Sequence, residues 1–176
     1  ENIYTLDSKG ELLITIMSSL AQEESRSISE NVTWGQRKRM ADGKVSLPYK
    51  HFLGYRKGVD GLPEIVPEEA EIVRNIYRWF MEGKTPTGIA RTLTEQGVLT
   101  PAGKEQWCSS TVKSILTNEK YKGSALLQKR FTVDFLTKKS KVNEGEVPQY
   151  YIEESHPAII VPEEFELVQA ELLRRQ

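Results

Sequence analysis

Five serines, Ser18, Ser19, Ser25, Ser27 and Ser29, crowd one short stretch and are the first candidates for a nucleophile. A serine nucleophile needs a base within hydrogen-bond reach. The two histidines, His51 and His156, stand far away in sequence, so these serines read as spacers on a polar helix face. Cys108 follows Trp107 and reads as a buried thiol. His156, which precedes Pro157, reads as a structural hydrogen-bonder. The carboxylate pairs Glu23-Glu24, Glu68-Glu69, Glu153-Glu154 and Glu163-Glu164 are adjacent in sequence, so on a helix or strand the members of each pair diverge. One cysteine and two histidines are too few ligands for a structural zinc site. No phosphate-cradling glycine loop is present. The chain is expected to carry no metal and no cofactor, and to perform no catalysis by itself.

What the charged residues can do is hold phosphate. The formal net charge of −1 conceals blocks of opposite sign. Residues 37–57 hold seven basic residues against Asp42, a local charge of +6, and include Arg37, Lys38, Arg39 and Lys44. Residues 104–141 hold nine against three acids, again +6, and include Lys113, Lys129, Arg130, Lys138, Lys139 and Lys141. Residues 144–171 carry eight acids and no Lys or Arg. Two basic surfaces on a nearly neutral chain are the electrostatic footprint of a polyanion partner.

These residues need elements to position them. Asp7 or Ser8 can cap a helix that continues without proline from Gly10 to Ala41, with Gly43 as its stop. Such a helix is roughly 48 Å long, too long for a small domain to bury throughout. Leu13, Ile16, Met17, Leu20 and Ile28 form an apolar stripe that fades at Glu24, Asn31 and Gly35. The first half is therefore suited to packing on a domain or partner helix, and the second, ending in Arg37-Lys38-Arg39, to solvent or phosphate. Short extended runs at 51–55 and 64–66 predict a hairpin. Pro67 opens a helix with the stripe Val73, Ile76, Tyr77 and Phe80. Thr85-Pro86 opens a second through Ile89, Ala90 and Leu93. Ser109 caps a third, packed through Val112, Ile115 and Leu116, that turns Ser110, Thr111, Lys113, Ser114 and Thr117 outward, as a helix lying in a major groove would. Residues 124–137 and 148–153 read as the two strands of a basic-tipped hairpin carrying Lys129 and Arg130. Pro162 opens a last helix with the stripe Phe165, Val168 and Leu172, running uncapped to the end of the chain.

With 176 residues, 38% hydrophobic and 28% charged, the chain has the composition of a folded domain. No stretch approaches the roughly 18 consecutive apolar residues of a membrane span. Residues 1–11 lack the basic start and apolar core of a signal peptide. A cytoplasmic protein without a membrane partner is expected, and the start at Glu1 reads as an excision from a longer chain.

The stretch PEEAEIVRNIYRWFMEGKTPTGIARTLTEQGVLTPAGKEQWCSSTVKSILTNEKYKG resembles the body of the DNA-binding domain of large serine recombinases, the serine-integrase and transposon-resolvase group. The matching positions are Ile72-Val73, Phe80, Gly83, Ile89-Ala90, Leu93, Gly97, Trp107, Val112, Ile115-Leu116, Asn118, Tyr121 and Gly123. SKGELLITIMSSLAQEESRSISENV is similar to the long helix that closes the resolvase-type catalytic domain, HFLGYRK to the motif that opens the DNA-binding domain, and HPAIIVPEEFELVQ to the segment leading into a zinc-ribbon and coiled-coil region. The resemblance implies that the nucleophilic serine and its arginines precede Glu1, so that this chain positions DNA without cutting it. It also implies contacts between catalytic domains through the first half of the helix and a minor-groove crossing by the second half. Glu30 matches an accessory glutamate, whereas Asn31 and Ser25 stand where small resolvases carry arginine.

The combined expectation is an α+β, mainly helical chain. Residues 1–43 would be the end and linker helix of a catalytic domain, 44–160 a recombinase DNA-binding domain, and 161–176 the start of a helix leading onward. Its partners would be double-stranded DNA and further copies of itself through the long helix, in a dimer or tetramer. Arg37, Lys38, Arg39, Lys44, Lys129, Arg130, Lys138, Lys139 and Lys141 would contact phosphate, and Ser110, Thr111 and Lys113 base edges. The alternatives are a helix-turn-helix transcription regulator that dimerises through the long helix, and a protein-interaction module.

Overall fold

The computed structural model describes residues 8–43, 45 and 47–175, with the side chain of Ser8 outside that description. The fold is α+β and mainly helical, as expected. Two compact units are formed, Glu1–Lys44 with Gln128–Tyr150, and Val45–Leu127 with Tyr151–Gln176.

The second unit contains the core. After a 3-10 turn at Tyr49–His51, strands β1 (Tyr55–Lys57) and β2 (Pro63–Ile65) pair antiparallel with Tyr55 opposite Ile65. The hairpin foreseen from sequence is present, but its first strand begins at Tyr55, because His51 belongs to the 3-10 turn and Gly54 has a left-handed φ of +92°. Helix α2 (Pro67–Met81) buries Ala70, Val73, Ile76, Tyr77 and Phe80, and α3 (Pro86–Glu95) buries Ile89, Ala90 and Leu93. Thr85 caps α3 by accepting a hydrogen bond from Gly88 N. Helix α4 (Ser109–Leu116) buries Val112, Ile115 and Leu116. Its N-cap is Cys108, one residue before the Ser109 expected from sequence. The α3–α4 connection runs from 96 to 108, much longer than the three- to four-residue turn of a DNA-binding helix-turn-helix.

The C-terminal end of α4 is fixed by two side chains. Tyr77 Oη donates to the carbonyls of Ile115 (3.0 Å) and Leu116 (3.3 Å), and Gln169 Nε2 donates to Leu116 O (2.7 Å). These bonds give carbonyls of the last turn side-chain donors, each contributing about 1 kcal/mol, and they hold α4 against α2 and α5 (Pro162–Arg174). Arg175, which follows α5, donates from its guanidinium to Phe80 O and Lys84 O and so closes the C-terminal end of α2. Gly123 must be glycine. Its φ is +84°, and a Cβ there would sit 2.7 Å from His156 O.

The other unit is built on α1 (Ser8–Ala41), which Gly43 ends with φ +72°. The expected cap Asp7 lies outside the described residues. The continuous strand expected over 124–137 is instead interrupted at Gln128, whose φ is +61°. Strand β3 (Ala125–Leu127), which precedes the break and pairs with β6 (Tyr150–Ile152), belongs to the core unit, while within this unit β4 (Arg130–Thr132) pairs antiparallel with β5 (Ser140–Val142), Thr132 opposite Ser140. Buried Asn143 organises the turn after β5. Its Nδ2 donates to Gln128 O and Val147 O, and its Oδ1 accepts from Gly145 N and Val147 N.

Candidate nucleic-acid interface

The outward stripe of α4 consists of Ser110, Lys113, Ser114 and Thr117, all exposed. Thr111 is half-buried, so the sequence reading placed it one step too far toward solvent. Cys108 is exposed, contrary to the buried thiol expected, because the N-cap position lifts it out of the core. Its Sγ lies 3.1 Å from Ser110 Oγ and 3.0 Å from Thr111 Oγ1. Hydrogen bonds to those hydroxyls, Ser110 foremost, pull the thiol down to about 7. A concave surface beside the helix start is lined by Lys104, Gln106, Cys108, Ser110 and Ser114. Gln106 was missed from sequence, since nothing in a loop's residue types announces that it will flank a helix face.

His156 has the structural role foreseen for it. Its Nε2 lies 2.6 Å from Lys120 O and its Nδ1 2.7 Å from Ser155 Oγ, and its ring meets Tyr55 edge-on. Burial lowers its pKa.

In the unit of α1 and the β4–β5 hairpin, a groove of about 270 Å³ is lined by Arg37, Gln128, Arg130, Thr132 and Ser140 among others, and a second, lined by Ser29, Thr33, Thr132 and Lys138, continues along α1. Three sequence-predicted cations, Arg37, Arg130 and Lys138, therefore come to one side of α1. Lys38 points elsewhere, 5.2 Å above the Trp34 ring, and Arg39 is exposed. Lys129 and Lys139 are exposed on the hairpin. Lys129 lies just before β4, not on a strand. Lys141 is engaged by Glu146 and, at 3.8 Å, Glu144, so its charge is largely answered within the chain. That contact is the main cause that draws the Glu146 carboxyl down to about 2. Lys44 lies outside the described residues. Glu30, matched above to an accessory glutamate, pairs with Arg26 at 3.0 Å on the exposed surface of α1.

Among the described residues no group of three or more His, Cys, Asp or Glu is disposed to hold a metal ion, and no helix is long and apolar enough to cross a membrane.

The family model described as Recombinase matches residues 67–175, the greater part of the chain. The chain belongs to the Recombinase family. This Recombinase-family chain is 29% identical over 176 residues to a Bacillus subtilis (strain 168) protein described as "Putative DNA recombinase", covering 94% of the chain and 35% of that protein. Its fold is similar to a chain in a crystal structure of a large serine recombinase (LSR)–DNA complex, with a TM-score of 0.56, 23% identity, and coverage of 82% of this chain and 38% of that one. A second solved structure, concerned with sequence requirements of the Listeria innocua prophage attP site, gives a TM-score of 0.57 at 23% identity, covering 82% of this chain and 52% of that one. The Recombinase-family chain thus spans about a third to a half of the relatives it matches.

Proposed function

We propose that this chain is the DNA-binding and positioning part of a site-specific large serine recombinase that integrates or excises a mobile element. The observation that carries the reading is the exposed stripe Ser110, Lys113, Ser114 and Thr117 on a helix clamped at its far end by Tyr77 and Gln169, in the stretch matching the Recombinase family. A short rigid helix presenting hydroxyls and one cation can hydrogen-bond base edges in a major groove. Phosphate contacts then set register, from Arg37, Lys38 and Arg39 on α1, from Lys129, Arg130, Lys138 and Lys139 at the hairpin, from Lys44, and least from Lys141 because of its acidic partners. The solved LSR–DNA complex of similar fold supports duplex DNA as the ligand.

In this reading residues 1–43 end a catalytic domain and form its linker helix, 44–160 are the DNA-binding domain, and 161–176 lead onward. The nucleophilic serine lies outside the chain. The exposed stripe of α1 joins copies into a dimer or tetramer, and the work is cytoplasmic.

Binding to DNA from the junctions of the parent element tests the proposal against random duplexes of equal length. Junction DNA should bind at least about 10³-fold tighter. Lys113→Ala and Ser110→Ala should each narrow that gap by about 1–3 kcal/mol while leaving affinity for random DNA nearly unchanged. Equal affinity for both DNAs contradicts sequence-directed positioning.

A further inference from the structure

Most arginines with resolved polar partners are tied to carboxylates: Arg26 to Glu30, Arg56 to Glu64, Arg74 to Glu71, Arg91 to Glu95, and Arg174 and Arg175 to Glu171. Arg37 and Arg130 are held differently. With the Gln128 amide turned so that its nitrogen donates to Pro148 O, its oxygen accepts from Arg37 Nε at 3.1 Å. Arg130 Nε and Nη2 donate to Ser140 Oγ at 3.3 and 3.2 Å, and Nη2 also to Ser140 O at 3.3 Å. Among the described residues neither guanidinium has a carboxylate partner. Both line the same groove.

Neutral acceptors fix the orientation of a guanidinium without cancelling its charge. Gln128 is itself held in place, because its carbonyl accepts from buried Asn143 and its left-handed backbone turns the chain at the end of β3. Two oriented, un-neutralised guanidinium groups lining one groove, one from α1 and one from the hairpin, can serve a single tetrahedral anion, and each retains donors for a phosphoryl oxygen. The groove continues along α1 past Ser29, Thr33 and Lys138, with Glu24 at its far part. A groove that continues from the two guanidinium groups to Lys138 suits successive phosphates of one strand better than an isolated ion, and Glu24 in its far part disfavours phosphate there.

We infer that Arg37 on α1 and Arg130 on the β4–β5 hairpin grip one and the same phosphodiester of bound DNA, forming a two-sided clamp. The inference rests on the DNA-binding reading above and adds that two elements far apart in sequence share one phosphate. Gln128 and Ser140 are positioning residues that pre-set the clamp.

The test is the salt dependence of duplex binding by the 176-residue chain and its variants. Each neutralised phosphate contributes about −0.9 to the logarithmic salt slope. Arg37→Ala and Arg130→Ala should each flatten the slope by clearly less than one unit, because the other guanidinium still neutralises the shared phosphate, and the double variant should flatten it by about one. Arg74→Ala, paired with Glu71, should leave the slope unchanged. Arg37→Lys and Arg130→Lys, which keep charge, should retain the slope but lose affinity, and they guard against misfolding of the alanine variants. In a scan of single methylphosphonate linkages, one position should abolish the effect of both alanine substitutions. A double variant flattened by about two units, or two different critical linkages, overturns the clamp while DNA binding stands. Saturable inorganic phosphate binding with no effect of either substitution on DNA also overturns it. If the unsubstituted chain binds no DNA, the functional reading falls first.

Discussion

In the unit of α2 to α5 every helix buries its apolar stripe: Val73, Ile76, Tyr77, Phe80, Ile89, Leu93, Val112, Leu116 and Val168 are all at most 1% exposed. In α1 the corresponding residues Leu12, Leu13, Ile16, Met17 and Leu20 are 43–68% exposed. Both stripes have helical spacing. Periodicity alone therefore shows that a helix has an apolar face, and the contacts of that face decide whether it is a core or a docking surface. The stripes of α2 to α5 form a core, whereas that of α1 leaves apolar area in contact with solvent among the described residues.

The largest effect that could break this contrast is in the core. Phe80→Ala should cost about 3–5 kcal/mol, read as a lowered urea midpoint, whereas Leu20→Ala should change stability by less than about 0.5 kcal/mol. Equal costs would show that α1 is part of the same cooperative core.

A second outcome sharpens the role of the exposed stripe. Buried in a contact, each of Leu13, Ile16, Met17 and Leu20 gains about 1.5–3 kcal/mol, so the chain should self-associate at high concentration. Joint replacement of Ile16, Met17 and Leu20 by serine should abolish that association in sedimentation experiments without lowering the melting temperature. Unchanged association would move the contact to another surface.

The smallest expected effect is a pH dependence in the core. Burial lowers the His156 pKa below 6.5, opposed by its hydrogen bond to the Lys120 carbonyl. The unfolded chain then binds the proton more readily than the folded one. The stabilisation is complete above pH 6.5 and is lost as pH falls from 6.5 through the lower folded value. Melting temperatures at pH 7.5 and 5.5 should differ less in His156→Gln than in the parent chain. An equal difference in both would assign the dependence to other groups.

Much of this architecture could be read from the residues. Pro67, Thr85-Pro86 and Pro162 marked helix starts, and the i, i+3, i+4 stripes named the core of α2 to α5, because local capping and periodicity are short-range signals. The excursion 128–150 was harder. A left-handed Gln128 splits what composition presents as one strand, and the buried Asn143 network that supports the turn depends on residues up to fifteen apart. The neighbouring Trp107 points Cys108 toward the core, yet Cys108 is the exposed N-cap of α4. At the candidate interface, the identity of the cations was legible and their pairing was not. Lys141 with Glu146, and Arg130 with Ser140, are tertiary facts of the hairpin register.

The salt dependence of binding to duplex DNA tests the central claim most directly. With about six phosphates met by the cations of α1, the hairpin and the DNA-binding unit, the logarithmic slope of affinity against salt should be near −5. A slope shallower than about −2, or no binding at low salt, would contradict the assignment of this chain as a DNA-positioning module.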